Sequence, residues 1–172
     1  MFDASSLCLA CGMCCNGALY THVSIPQDEI ERVRALGLAI ETMRDGSGFR
    51  QPCSLHRQGR CSAYPNHPAP CRAYACKLLK KYLVGEIAYE QAAQIIQNAL
   101  EIYSEVIAQL PPDFSFSRLL EEINKDSIRD IFDSEEGRRQ NAELLLAVAR
   151  LTVYTRKHFD EQKQAKATAS GA

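Results

Sequence analysis

Four cysteines fall within eight residues near the amino terminus, in the order Cys8-x-x-Cys11-Gly12-x-Cys14-Cys15, and Cys53, Cys61, Cys71 and Cys76 follow within a 24-residue stretch. A tetrahedral zinc ion or an iron-sulfur cluster commonly takes four thiolates from one protein. Eight thiols divided four and four therefore fit metal coordination, and all eight are candidate ligands. Two residues between cysteines let a tight turn aim both sulfurs at one ion, a spacing that Cys8, Cys11 and Cys14 meet twice. Gly12 allows positive φ and lets the backbone come close to the metal. Cys14 and Cys15 are neighbours, and neighbouring side chains point in different directions in a helix or a strand. One of them is expected to serve a second metal, or another face of the same cluster. The two groups should then interleave, in a metal lobe that runs from Cys8 to Cys76.

The second group is less regular, with seven residues between Cys53 and Cys61, nine between Cys61 and Cys71, and four between Cys71 and Cys76. Five positions apart on one helix, Cys71 and Cys76 would face different sides. Cys71 is therefore expected at a helix entrance, where the positive end of the dipole favours a thiolate. No Asp or Glu lies between Gly46 and Lys81, whereas Arg50, Arg57, Arg60, Arg72, Lys77, Lys80 and Lys81 all do. Four thiolates on divalent zinc leave two net negative charges, which basic groups and backbone amides can offset. The plainer reading of that run is a solvated basic face. Basic patches also attract phosphates, but the net charge of -1 argues against a nucleic-acid partner.

Other residue types add less. His22, His56 and His67 lie beside or among the cysteines and would allow a mixed Cys/His site, yet each reads first as an exposed or hydrogen-bonded residue, as does His158. Tyr64 and Tyr74 flank cysteines and could shield a cluster from water or simply pack. Cys11-Gly-Met-Cys14 has the form of a dithiol redox motif, but that motif should follow a strand, and only ten residues precede Cys11. A disulfide framework suits secreted chains, whereas Met1 to Ser6 carries no basic n-region and no apolar run of signal-peptide length precedes Cys8. The expected setting is the cytoplasm, whose reducing conditions keep thiols free. At 172 residues and 46% hydrophobic content the chain can bury a core without disulfides. Its longest apolar stretch, Ala142 to Ala149 broken by Glu143, is too short to span a bilayer.

The elements that must position these thiols follow from pattern. Ser24-Ile25-Pro26-Gln27 has the form of a capping box, and Ile30, Val33, Leu36 and Ile40 follow at helical spacing. This predicts a helix from about Pro26 to Leu36, ended near Gly37. Gly46-Ser47-Gly48 reads as a flexible break. Cys53-Ser54-Leu55 and Arg60-Cys61-Ser62-Ala63-Tyr64 flank Arg57-Gln58-Gly59, the pattern of a short hairpin with a cysteine near each end. Pro65, Pro68 and Pro70 hold an extended loop leading to Cys71, where a helix is expected to begin and run to about Leu83. From Glu86, residues Ala92, Ile95, Ala99, Ile102, Val106 and Leu110 mark a long helix with one apolar stripe, stopped by Pro111-Pro112. Short helices are predicted at about Ser117 to Asn124 and Ser127 to Phe132. Asp133-x-x-Glu136 introduces a last long helix carrying Leu145, Val148, Leu151, Thr152 and Phe159. Both long stripes read as core faces, and no solenoid repeat or phosphate-binding glycine loop is present.

The chain resembles the CxxCxxCC domain proteins, also called YkgJ-like cysteine cluster proteins and described as zinc- or iron-chelating. The likeness covers about Cys8 to Leu79. Cys8-Leu-Ala-Cys11-Gly12-Met-Cys14-Cys15 is similar to the family's first motif; Cys53, Gly59, Cys61 and Tyr64, then Pro68 and Cys71-Arg72-x-Tyr74-x-Cys76, are similar to the rest. The family usually shows arginine before the proline of the proline loop, where this chain has His67. The resemblance implies chelation more than any reaction. A flagellin lysine methylase carries a similar cysteine domain, a kinship that implies an iron-sulfur cluster, although no methyl-donor pocket is recognisable here.

The expected fold is mainly α, a cysteine-rich metal-binding lobe with a small β-hairpin packed on C-terminal helices. Residues 1–83 would form the lobe, 84–163 the helical region and 164–172 a disordered tail. The expected function is that of a cytoplasmic metal-binding protein whose eight cysteines chelate an iron-sulfur cluster, such as 4Fe-4S, or zinc, with the lean to iron-sulfur. Its expected partners are metal ions, without a membrane; no protein partner and no catalytic constellation can be named. The rival classes are an enzyme of methyl or electron transfer using the cluster, and a zinc-stabilised adaptor for protein or nucleic acid.

Overall fold

The computed structural model of the chain describes residues 4–43, 46–64, 66–123 and 134–160. The helix expected at Ser127 to Phe132 and the tail at 164–172 lie outside the described residues. The fold is mainly α with small antiparallel sheets, as the sequence predicts.

The first cysteines are carried by a helix that the sequence patterns did not announce, α1 (Ala4–Cys11), which buries Leu7. Its only strong apolar anchor is that leucine, so no stripe was legible. Strand β1 (His22–Ile25) follows, then a 3-10 turn at Gln27–Glu29 and helix α2 (Ile30–Ala35). The expected helix is thus present but starts late, and the capping box does not form. Ser24 lies in β1, opposite Gly48, and Pro26 leads into the turn without a side-chain cap. The chain leaves α2 at Gly37, whose φ of +83 matches the expected stop.

The glycine stretch at 46–48 is a strand rather than a break. Strands β2 (Glu41–Met43) and β3 (Gly46–Arg50) join β1 in an antiparallel sheet of order β1-β3-β2, with Val23 opposite Phe49 and Thr42 opposite Ser47. Gly48 is required by close approach, since a Cβ there would stand 2.4 Å from the Val23 carbonyl oxygen. Ile25, Ile30, Val33, Leu38 and Phe49 form a small core under this sheet, and Cys53, Leu55 and Cys71 pack on its edge.

The hairpin forms where expected, with β4 (His56–Arg57) paired to β5 (Arg60–Cys61). Gln58 and Gly59 both take positive φ, 49° and 75°, the conformation that suits a two-residue hairpin turn. The helix expected from Cys71 to Leu83 is two helices, α3 (Ala69–Ala73) and α4 (Lys77–Leu83). The chain is extended at Tyr74, with ψ 127°, and at Cys76, with ψ 166°. Cys71 therefore sits within α3, and Cys76 takes the helix entrance that had been expected for Cys71.

The long helix α5 (Tyr89–Ile107) buries Ala92, Ile96, Ala99, Ile102 and Val106, with Ile95 only partly covered. Helix α6 (Phe116–Ile123) follows. The last expected helix divides into α7 (Glu135–Gln140), capped by Ser134 through the Gly137 amide, and α8 (Ala142–His158). Leu151 and Phe159 from this end join the α5 residues, Phe116, Leu119, Met13, Leu78 and Leu7 in the main core. That core reaches directly beneath the first cysteine loop, because Met13 lies between two of its cysteines and is wholly buried. Burying such a side chain stabilises by roughly 1.5–3 kcal/mol. Polar bonds reinforce the seam: Tyr103 Oη donates to the Asn16 carbonyl at 3.0 Å, and Ser117 Oγ to that of Gln51 at 2.6 Å. Among the described residues no helix is long and apolar enough to cross a membrane.

Candidate metal centre

Cys8 and Cys11 stand three positions apart on α1 and so share one face of it. The helix ends at Cys11, and Gly12, at φ +60, turns the chain so that its carbonyl accepts from the Cys15 amide at 2.8 Å and the Asn16 amide at 2.9 Å. That tight reversal presents Cys14 and Cys15 in succession. Cys76 arrives at the N-cap of α4, where its sulfur accepts from the Leu79 amide at 3.5 Å. Cys53 is joined to the first loop by its own amide, which donates to the Cys15 carbonyl at 2.8 Å. Cys61 lies on β5 and Cys71 on α3. All eight thiols are free and line one cavity of about 530 Å³.

Within that cavity burial raises the thiols, and neighbouring thiols add to the effect. Burial pushes the Cys8 thiol up, and the charge of Cys76 adds to it. Burial raises Cys11 to about 12, partly countered by the Met13 amide and reinforced by Cys76 and Cys8. Cys14 is pushed well up by burial, then by Cys11, Cys76, Cys15 and Cys8. Burial first, then Cys53, Cys61, Cys71 and Cys11, bring Cys15 to about 12. Burial raises Cys71 to about 11 with help from Cys53 and Cys61, and raises Cys53 with help from Cys61. The peptide from Cys14 to Cys15 links the two groups, since Cys15 acts on Cys14 and Cys11 acts on Cys15. The thiols ring the cavity without closing on a point, for among the described residues no group of three Cys, His, Asp or Glu is drawn close enough to hold one ion.

The donor set suits a soft or borderline metal. Sulfur is the dominant donor, and backbone amides are already aimed at it: Met13 at Cys11, Leu55 and His56 at Cys53, Leu78 and Leu79 at Cys76. Each amide favours the thiolate that a metal requires. Of the basic residues, Arg72 lowers Cys71 and Lys80 lowers Cys76, the expected sense. Arg50 is engaged elsewhere, in ion pairs with Glu41 and Glu121.

The aromatic and histidine residues sort differently from one another. Tyr74 meets Tyr20, which the sequence had not singled out, in an edge-on pair with centroids 5.4 Å apart and the two hydroxyls hydrogen-bonded. Both line the cavity and stay 37% and 36% exposed, so they stand at its mouth. Tyr64 stacks on His67 at 4.6 Å. The His67 carbonyl accepts from Arg72 and Arg32, so two guanidinium groups brace the proline loop at His67. His22 is exposed, and His158 leans on Tyr154, away from the cavity lining. His56 lines the cavity, as His22 and His67 do, and its Nε2 is buried with no hydrogen-bond partner. Gln51 Oε1 is in the same state, in a residue only 6% exposed. Neither polar group could have been recognised from sequence, because what marks them is burial without a partner.

No curated protein and no solved structure matches the chain. One family model does match, over residues 7–98, more than half of the chain and all eight cysteines; it is named CxxCxxCC and described as "putative zinc- or iron-chelating domain". With its cysteines gathered around a common cavity and that match across them, the chain belongs to the CxxCxxCC family of zinc- or iron-chelating domains.

Proposed function

We propose that the eight cysteines hold metal in two adjoining four-thiolate sites, Cys8, Cys11, Cys14 and Cys76 in the first and Cys15, Cys53, Cys61 and Cys71 in the second. The observation that carries this reading is that all eight thiols line one cavity; the division is supported by the 2.8 Å bond from the Cys53 amide to the Cys15 carbonyl and by the charge of Cys76 acting on Cys8, Cys11 and Cys14. Four thiolates meet the full demand of a tetrahedral zinc or of a cluster.

The first site is assigned a 4Fe-4S cluster. Its ligands follow the Cys-x-x-Cys-x-x-Cys run with a remote fourth cysteine, Cys76, a spacing that such clusters accept. The second site draws on hairpin, loop and α3, and takes a second cluster or a zinc ion. Loading draws the ring of thiols inward, so metal binding is part of the folding of this lobe. Residues 1–83 act as the metal lobe on this reading and 84–163 as the helical body against which it is built. The cytoplasm is the setting that keeps such thiols reduced.

The test is purification without oxygen, followed by measurement of iron, sulfide and zinc per chain and of the visible spectrum. Brown protein with matching iron and sulfide is the expected result. Colourless protein with two zinc ions would replace the cluster by zinc, and folded protein that binds no metal would overturn the reading.

A further inference from the structure

The half-buried imidazole of His56 lies between the β4–β5 hairpin and the first cysteine loop, with its Nε2 buried. Its backbone amide bonds to the Cys53 carbonyl at 2.9 Å and also faces the Cys53 sulfur. Across the hairpin, His56 is the register partner of Cys61, which puts the two side chains on one face with Cβ atoms about 5 Å apart. The ring itself reaches over to the first cysteine loop. A Cβ on Gly12 would stand 2.5 Å from His56 Nε2 and 3.0 Å from Cε1, so the imidazole rests on bare backbone directly after Cys11. No other residue type leaves room for it there. Nε2 ends buried at the cavity wall without a hydrogen-bond partner. Buried polar atoms are nearly always paired, and an unpaired one points to a group that the site receives.

We propose that His56 donates its Nε2–H to a metal-bound sulfur at the junction of the two sites, as a positioning residue and not as a ligand; the inference rests on the metal-binding reading above. Each site already has four thiolates, so an added nitrogen ligand is not called for. Metal-bound thiolates, by contrast, carry negative charge and accept hydrogen bonds, and outer partners of that kind fix ligand orientation and metal affinity. Gly12 serves the same end by keeping the loop thin enough for the ring to lie against it.

The test loads the full chain with zinc alone and measures stoichiometry and affinity by chelator competition. His56→Phe is expected to bind as many zinc ions as the wild type but about 10–100-fold more weakly, and His56→Gln, which keeps an N–H donor, to recover part of the loss. In wild-type protein carrying 15N-labelled histidine, His56 Nε2 is expected to keep its proton after zinc loading, and this measurement decides the matter if His56→Phe does not fold. An unchanged affinity in folded His56→Phe overturns the donor role. So does one ion fewer in that variant, or an Nε2 that loses its proton, either of which makes His56 a ligand. Wild-type protein that takes up no zinc overturns the donor role at a zinc-loaded site, and the metal-binding reading with it only if iron and sulfide also fail to load; normal wild-type uptake with an indifferent His56→Phe overturns the donor role only.

Discussion

The amide of Cys53 donates to the carbonyl of Cys15 at 2.8 Å, so the second group of cysteines is stitched to the last residue of the first. Thirty-eight positions separate the two residues in the chain. The bond sets Cys15 apart from Cys14, whose strongest thiol neighbours are Cys11 and Cys76. On the two-site reading proposed above, these consecutive residues serve different sites, and the peptide between them joins the two.

Replacing these two residues should have different consequences. Cys14→Ser is expected to lose the metal of the first site and Cys15→Ser that of the second, each leaving about half the metal per chain. Elemental analysis of both variants with the visible spectrum checks this. Loss of the same metal in both would contradict the division.

Cys11→Ser should lose metal and loosen the first lobe while the later helices survive. Far-ultraviolet circular dichroism should retain the signal of α5 and α8, because their shared core residues Ile102, Val106 and Leu151 do not line the cysteine cavity. Unchanged metal content would count against Cys11 as a ligand.

Gly48→Ala is expected to destabilise by about 1–3 kcal/mol through crowding, since the new methyl would sit 2.4 Å from the Val23 carbonyl oxygen. That atom is sheet backbone and can yield only if β1 and β3 separate. Urea unfolding of the variant measures the loss.

Leu151→Ala removes a fully buried side chain between α8 and α5, and should cost about 2–5 kcal/mol. Metal stoichiometry at low temperature should be unchanged. Together the two measurements separate stability of the helical body from chelation.

The Glu29 carboxylate accepts from the Ala69 amide at 3.2 Å and from Arg32 at 2.9 Å, and the amide first, then Arg32, hold it below the usual carboxylate range. A carboxylate whose folded pKa is depressed adds stability that is present above its unfolded pKa, about 4.3, and lost as pH falls through the folded value. Glu29→Gln should accordingly be less stable than wild type at pH 7, with the difference closing below about pH 4. Denaturation midpoints across that range test the sign; a gap that widens in acid would refute it.

Local signals were readable in the chain. Gln58-Gly59 selected the tight hairpin turn because both positions take positive φ, and the apolar stripe from Ala92 to Val106 selected α5 because each residue returns to the same face. Cysteine spacing pointed to chelation. What misled were signals that depend on a partner elsewhere. Ser24 has the form of a cap but is claimed by the strand pairing with Gly48, and Gly46 to Gly48 resemble a hinge but let two backbones approach.

The sequence by itself determined the ligand chemistry, the family and the long helices, because residue type and short-range period suffice for those. Only the tertiary structure decided that Cys53 is tied to Cys15, that Cys76 rather than Cys71 holds the helix entrance, and that His56 comes to rest on Gly12. Those facts depend on contacts between residues as far apart as Gly12 and His56, and no local pattern encodes a distance across the fold.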